Sequence, residues 1–159
     1  MQMKYLLTLA ALLLTLNTSA QWTKFHKAAD ELKGTSEHTT LQYNSGNFVF
    51  SLLSDDQFAI KTEEGIFDHE YVNGVTGCQV IVGLYKEDGT LQEKFKIWLD
   101  KNTSSILRTR NAGTMFNPVG QAKKAKKMCK HLHTTGYLRI VAPRHEASDY
   151  DLKIPHLPE

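Results

Sequence analysis

The fold is decided by the stretch 78-CQVIVGLYKEDGTLQEKFKIWL-99, in which two apolar runs flank a short polar turn. Apolar side chains recur at every second residue from Cys78 to Leu84, and again from Phe95 to Leu99. This alternation is typical of a β-strand with one face in the core. The turn Lys86-Glu87-Asp88-Gly89 contains an Asp-Gly pair, which favours a tight reversal of the chain. The stretch therefore predicts a β-hairpin.

Shorter alternating runs continue on both sides of this hairpin, and turn residues separate them. Further candidate strands cover residues 41–43, 48–52, 58–60, 66–72, 106–110, 137–142 and 150–154. About eight short strands with turns between them are typical of an antiparallel β-sandwich or an open barrel. The sequence therefore predicts a mainly β domain of this class, accompanied by two short helices.

The first of these helices is expected directly after residue 20. Apolar residues recur with helical spacing from Trp22 to Leu32, and Gly34 follows as a C-terminal stop. We expect this helix to pack against the sheet. Trp98 lies out of phase with Phe95, Ile97 and Leu99, so it is either an exposed ligand-binding aromatic or is covered by this helix. The second interpretation is favoured.

The second helix has stronger local signals. Asn117 is a good N-cap, Pro118 suits the first turn, and Gly136 follows the last apolar position. At 100° per residue the small and apolar side chains fall on one side, namely Ala122, Ala125, Met128, Cys129 and Leu132. The opposite side carries five lysines, Lys123, Lys124, Lys126, Lys127 and Lys130, which we call the lysine strip.

The first twenty residues have the pattern of an export signal. Lys4 precedes an uncharged, leucine-rich run from Leu6 to Leu16, and Thr18-Ser19-Ala20 supplies small residues for signal peptidase. The apolar run is shorter than the roughly 20 residues that a membrane-spanning helix needs. We therefore expect a signal peptide over residues 1–20, cleaved after Ala20, and a single β-rich domain over residues 21–159. The mature protein is expected to be secreted or periplasmic, without a membrane span.

Charge is distributed unevenly along the expected mature chain. Residues 21–100 carry 7 basic and 13 acidic side chains, whereas residues 101–159 carry 11 basic and 4 acidic ones. This asymmetry predicts a dipolar domain, which can steer partners or help the two halves of the chain to dock.

The only two cysteines of the chain, Cys78 and Cys129, are both expected to point inward from their elements. Disulfides persist in the compartments to which an export signal leads. We therefore predict a disulfide between Cys78 and Cys129. The alternative is a pair of buried free thiols.

The lysine strip is the first candidate binding site. Five lysines within eight positions make an electropositive surface that suits a polyanion. Nucleic acid is not expected, because the strip has neither the aromatics that stack on bases nor the arginines that bind them in a bidentate way. The alternative is a solvated helix face, which explains the same periodicity and is favoured.

Two further groups of polar residues invite a metal or catalytic interpretation. His131 and His133 lie about 160° apart on a helix, so they would chelate one ion only if the last turn unwound. Asp68 and Glu70 share one face of a candidate strand and could divide general-acid and general-base work. Helix-end histidines and an exposed strand face are the commoner explanations. We therefore assign no metal site and no catalytic residue.

The sequence also lacks the familiar signatures of a nucleophile or a phosphate-binding loop. It contains no Gly-x-Ser-x-Gly elbow and no glycine-rich phosphate loop. We therefore expect an exported, non-enzymatic binding or interaction module without a cofactor, whose partner is a polyanion or another protein. The competing hypothesis is a small extracytoplasmic hydrolase, lyase or metal-dependent enzyme built from Asp68, Glu70 and the histidines.

Overall fold

A computed structural model describes residues 21–29, 32, 34, 36–63, 67–72, 74–109 and 118–159. The predicted signal peptide and the predicted N-cap Asn117 lie outside the described residues. The described residues form ten strands and one helix. The elements are β1 (Gln21–Lys27), β2 (His38–Asn44), β3 (Phe48–Ser54), β4 (Gln57–Thr62), β5 (Glu70–Val72), β6 (Val75–Tyr85), β7 (Leu91–Thr103), β8 (Ile106–Arg108), α1 (Pro118–His131), β9 (Tyr137–Ala142) and β10 (Tyr150–Pro155).

All strand pairs belong to one antiparallel sheet, in the order β1-β2-β3-β4-β8-β7-β6-β9-β10, with β5 attached to β6. The prediction of a mainly β, antiparallel fold is thus confirmed. The sheet has ten strands where about eight were expected. Its first and last strands are not paired, but they approach each other, since the indole N–H of Trp22 on β1 donates a hydrogen bond to the carbonyl of Pro155 on β10 at 3.3 Å.

The predicted central hairpin is present. Cys78 to Leu84 pair with Glu93 to Leu99 in continuous antiparallel register, and the tight turn between the strands holds Gly89 at a φ of 85°. The left-handed conformation at Gly89 is one that glycine adopts without strain. The register shifts between Leu84 and Tyr85, which pair with Glu93 and Leu91, so Gln92 is the extra residue of a β-bulge.

One hydrophobic core lies between the inner side of this curved sheet and α1. Its largest fully buried side chains are Phe50, Phe58, Phe67, Ile60, Ile97, Leu99, Leu107, Met128, Leu132, Leu138, Ile140 and Ile154. The alternation seen in the sequence decides which residues these are, because every second residue of β3, β4, β6 and β9 is buried. No helix among the described residues is long and apolar enough to cross a membrane.

The prediction of an N-terminal helix is wrong. Residues 21–27 form β1 and pair with β2 over their whole length, from Gln21 opposite Asn44 to Lys27 opposite His38. Helical spacing placed Trp22 and Phe25 on one buried stripe, but Phe25 is 52 % exposed. Trp22 instead packs against the rings of Tyr43 and Phe50, at 5.6 and 6.1 Å between centroids. These contacts come from distant segments, and they override the local pattern.

Trp98 is buried, as the favoured interpretation expected. The N-terminal helix that was expected to cover it is not formed, because residues 21–27 are the strand β1. The indole lies against Gly77 on the neighbouring strand, where an added Cβ would be 2.8 Å from Nε1. Nε1 also donates a hydrogen bond to Asp100 at 3.1 Å. Glycine at position 77 thus leaves the space that the indole fills.

The predicted disulfide is not present, since Cys78 and Cys129 are both buried free thiols. The carboxylates that act on each thiol show that they occupy different surroundings. The carboxylates of Asp68 and Glu70 contribute to the raised pKa of Cys78 on β6. The carboxylates of Asp56 and Asp55, in the β3–β4 turn, contribute to the raised pKa of Cys129 on α1. Both residues point inward, as expected, but inward orientation alone does not bring two sulfurs together.

We expect the native protein to resist thiol reagents at neutral pH. Burial is the main cause that raises the pKa of both thiols to about 12, so the reactive thiolate is scarce. Mass spectrometry after alkylation under non-reducing conditions should find no label on the folded protein and two labels after denaturation. A denatured, non-reduced sample without label would instead indicate a disulfide.

Because both thiols are buried, we expect the free energy of unfolding to change with pH in the alkaline range. Unfolded thiols ionise near pH 9, whereas the buried thiols stay neutral until about pH 12. The unfolded chain therefore loses protons first, and the contribution of the two thiols to stability falls as the pH rises above about 9.

Candidate functional site

The lysine strip belongs to a helix that fills a split in the sheet. The strand β8 pairs with β4 and with the last residues of β7, from Asp100 to Thr103. Before Asp100, the strand that pairs with β7 among the described residues is β6. The helix α1 contacts β7 on one side of this split and β4 on the other, and it also contacts β9. Since three strands hold it, its outer face is fixed relative to the sheet.

Two side chains of α1 bind the open edge of β7. The side-chain oxygen of Gln121 accepts a hydrogen bond from the backbone N–H of Trp98 at 3.0 Å. Nζ of Lys124 donates to the carbonyl of Lys96 at 2.7 Å. These contacts satisfy backbone groups that a neighbouring strand would otherwise pair.

The buried side of α1 largely follows the predicted stripe. Ala125, Met128, Cys129 and Leu132 are all buried. Ala122, which the same periodicity placed inward, is exposed. The four buried residues are sufficient to seat the helix on the core.

The five lysines of the strip do not all play the same part. Lys124 is bound to β7, and Nζ of Lys127 lies 2.7 Å from both carboxylate oxygens of Glu93 on that strand. Lys123, Lys126 and Lys130 are exposed, and no carboxylate among the described residues forms an ion pair with them. Their spacing of three and four residues places them along one side of the helix. They form the part of the strip that can meet a partner.

A shallow cavity of about 230 Å³ borders this free part of the strip. It is lined by Lys126, Lys130, His133, Cys129 and Asp55, the last of these in the turn between β3 and β4. The side chains facing it include two ammonium groups and one carboxylate, so positive charge prevails. The cavity extends the basic surface from α1 toward the β3–β4 turn.

His131 and His133 point into different surroundings. The helix ends at His131, which is only 8 % exposed, and its Nε2 lies 2.9 Å from the carbonyl of Tyr85. His133 is exposed and lines the cavity beside Lys126 and Lys130. The described residues contain no group of three or more His, Cys, Asp or Glu side chains that could hold a metal ion.

Asp68 and Glu70 lie at the surface. Both are exposed, and only Glu70 belongs to β5, which is shorter than the predicted strand. Oδ1 of Asp68 accepts a hydrogen bond from the backbone of His69 and lies 4.0 Å from Nδ1 of His145. Solvent access on all these groups favours the interpretation of an exposed polar face over a catalytic pair.

A larger cavity, of about 630 Å³, lies where the tip of the β6–β7 hairpin meets the end of α1. It is lined by Lys86, Glu87, Asp88, Gln92, His131, Thr134, Thr135 and Gly136. The sequence did not predict it, because its walls come from segments about 40 residues apart. The only local signals were the turn at Asp88-Gly89 and the glycine at position 136.

Comparison of the chain with models of protein families, with curated proteins and with solved structures finds no match. A function can therefore be assigned only through the chemistry of its own residues.

Proposed function

We propose that the protein is an exported, non-enzymatic binding module whose lysine strip engages an anionic polysaccharide. The observation that carries this proposal is that two lysines of the strip are bound to the sheet and three are not. Lys124 and Lys127 attach the helix to β7, whereas Lys123, Lys126 and Lys130 keep their charge available. Because α1 is packed against three strands, these three lysines project from one side of a helix that is already in place.

The electrostatics of the neighbourhood support an anionic rather than a cationic partner. Two ammonium groups, those of Lys126 and Lys130, line the adjoining cavity, whose lining contains one carboxylate residue, Asp55. The expected export signal over residues 1–20 would bring the domain into contact with extracellular or periplasmic polymers. A polysaccharide fits better than nucleic acid, because the strip offers charge without aromatic or guanidinium groups for bases.

The proposal predicts that heparin, used as the probe, binds the protein in a salt-dependent way. Each ammonium group that meets the polymer releases condensed counterions, so the affinity should fall steeply as salt rises. The triple variant K123Q/K126Q/K130Q should bind about tenfold more weakly or worse, and its dependence on salt should be flatter by roughly two to three released ions. Isothermal titration calorimetry at several salt concentrations measures both effects.

A matched control variant distinguishes the effect of the lysine strip on heparin binding from the effect of net charge. The variant K24Q/K61Q/K94Q removes three exposed lysines that lie outside α1. It should keep a steep salt dependence, although its net charge changes by the same amount. Both variants should melt like the parent protein, since exposed substitutions usually cost under about 0.5 kcal/mol each. Equal losses in the two triple variants, or no heparin binding by the parent protein, would contradict the proposal.

A further inference from the structure

The cavity between the hairpin tip and the end of α1 has two walls, each of them a hydrogen-bonded turn. One wall is the turn after β6, in which the carboxylate of Asp88 accepts the backbone N–H of Thr90 at 2.8 Å. The other wall is the turn after α1, in which the hydroxyl of Thr134 donates to the carbonyl of His131 at 2.7 Å and accepts from the N–H of Gly136. Residues on both walls line the same space. Its volume of about 630 Å³ lies within the usual range for small-molecule sites.

The β-bulge adds a side chain to this space. Gln92 is the residue that the register shift leaves unpaired, and it lines the cavity. Bulges frequently redirect a side chain next to a functional site. The irregularity thus supplies the cavity with an amide, which both donates and accepts hydrogen bonds.

His131 contributes a buried group with a defined tautomer. A backbone carbonyl can only accept, so Nε2 must carry the proton that lies between His131 and Tyr85. In the neutral form of the ring Nδ1 is then an acceptor, and no described residue donates to it. Gly136 makes this placement possible, because a Cβ there would lie 2.7 Å from Nε2 and still closer to the Tyr85 carbonyl.

The lining carries two carboxylates against one ammonium group. Glu87 and Asp88 supply carboxylates, and the end of α1 contributes the negative end of its dipole. Hydrogen bonding from Thr90 holds the pKa of the Asp88 carboxyl below its usual range, so this group is ionised at neutral pH. Lys86 is the single ammonium group of the lining.

We propose that this cavity is a second binding site, separate from the lysine strip, and that it takes a small amine bearing hydroxyl groups, of the size and chemistry of an amino sugar. The ammonium group meets Glu87 and Asp88, while a hydroxyl donates to Nδ1 of His131. The side chains of Gln92 and Thr135 bind the remaining hydroxyls. The two carboxylates favour a cationic ligand here, which distinguishes this site from the proposed anion-binding surface on the outer face of the same helix.

The test uses glucosamine and glucose as probes, because they differ chiefly in an ammonium group that replaces one hydroxyl. In a nuclear magnetic resonance titration of the full protein, glucosamine should shift the amide signals of residues 86–92 and 134–136 saturably. Glucose should bind about tenfold more weakly, as expected for the loss of one charge-assisted contact. Absence of saturable shifts at tens of millimolar glucosamine, or equal binding of the two sugars, would overturn the proposal.

Variants locate the site. Glu87→Gln keeps the shape of an exposed side chain and removes its charge, so it should weaken glucosamine binding about tenfold. Glu37→Gln removes an exposed carboxylate from the β1–β2 end of the sheet and should leave the affinity unchanged. The variant K123Q/K126Q/K130Q should also bind glucosamine like the parent protein, which keeps this result independent of heparin binding. Equal affinities of the Glu87→Gln and Glu37→Gln variants would overturn the assignment.

Discussion

Replacing Phe50 by alanine is expected to lower the free energy of unfolding by about 3–5 kcal/mol. Phe50 is fully buried on β3, and its ring stacks on Phe58 of β4 with 5.3 Å between centroids. On its other side it meets the edge of Trp22 at 6.1 Å. The substitution removes the ring that joins β4 to β1 across the core, so both the transfer term and the cavity term contribute.

Urea unfolding followed by circular dichroism measures this loss. Phe25→Ala is the matched control, because Phe25 lies 52 % exposed on β1 and the same atoms are removed there. We expect that control to change the free energy of unfolding by well under about 1 kcal/mol. If both variants lost similar stability, the core as described would be wrong.

Gly77→Ala should also destabilise the protein strongly, by about 1–3 kcal/mol or more. An added Cβ would lie 2.3 Å from the backbone carbonyl oxygen of Leu99 and 2.8 Å from the indole nitrogen of Trp98. Neither neighbour can yield easily, because Leu99 belongs to the paired strand β7 and Trp98 is buried. The strands must separate locally to admit the methyl group.

The same substitution at Gly83 tests this reasoning within one strand. There the added Cβ would meet a ring carbon of Tyr85 at 2.6 Å, so the partly exposed ring, which stacks on Tyr137, must shift, but no backbone atom stands in the way. We expect a change of under about 1 kcal/mol, because alanine is also the better strand residue. Thermal melts of the two variants should therefore diverge clearly, and equal melting temperatures would refute the proposed steric cause.

Elements with strong local signals could be predicted from the sequence. The hairpin at residues 78–99 was expected in its observed pairing, because period-2 alternation and an Asp-Gly turn agree. The helix α1 was expected because Pro118 and the apolar stripe mark its start and its inner face, although it ends at His131, before Leu132 and the expected stop at Gly136. The prediction for residues 21–27 was wrong because Trp22 packs against Tyr43 and Phe50. Helical spacing alone does not reveal these contacts between distant segments.

The candidate sites were accessible to prediction only in part. Periodicity predicted that five lysines share the outer side of α1, but not that Glu93 and the Lys96 carbonyl bind two of them. Those partners depend on the split between β4 and β7, which follows from strand order rather than from any local pattern. The cysteines illustrate the same limit, since both are buried as expected and yet no disulfide joins them.

The attachment of α1 to the open edge of β7 has a further consequence, for self-association. A strand edge with unpaired backbone groups is a template for strands from other chains, and proteins suppress aggregation by covering or charging such edges. Gln121 and Lys124 occupy the N–H of Trp98 and the carbonyl of Lys96, so an incoming strand would have to displace the helix first. Part of the basic helix thus hinders the addition of strands from other chains to the edge of β7.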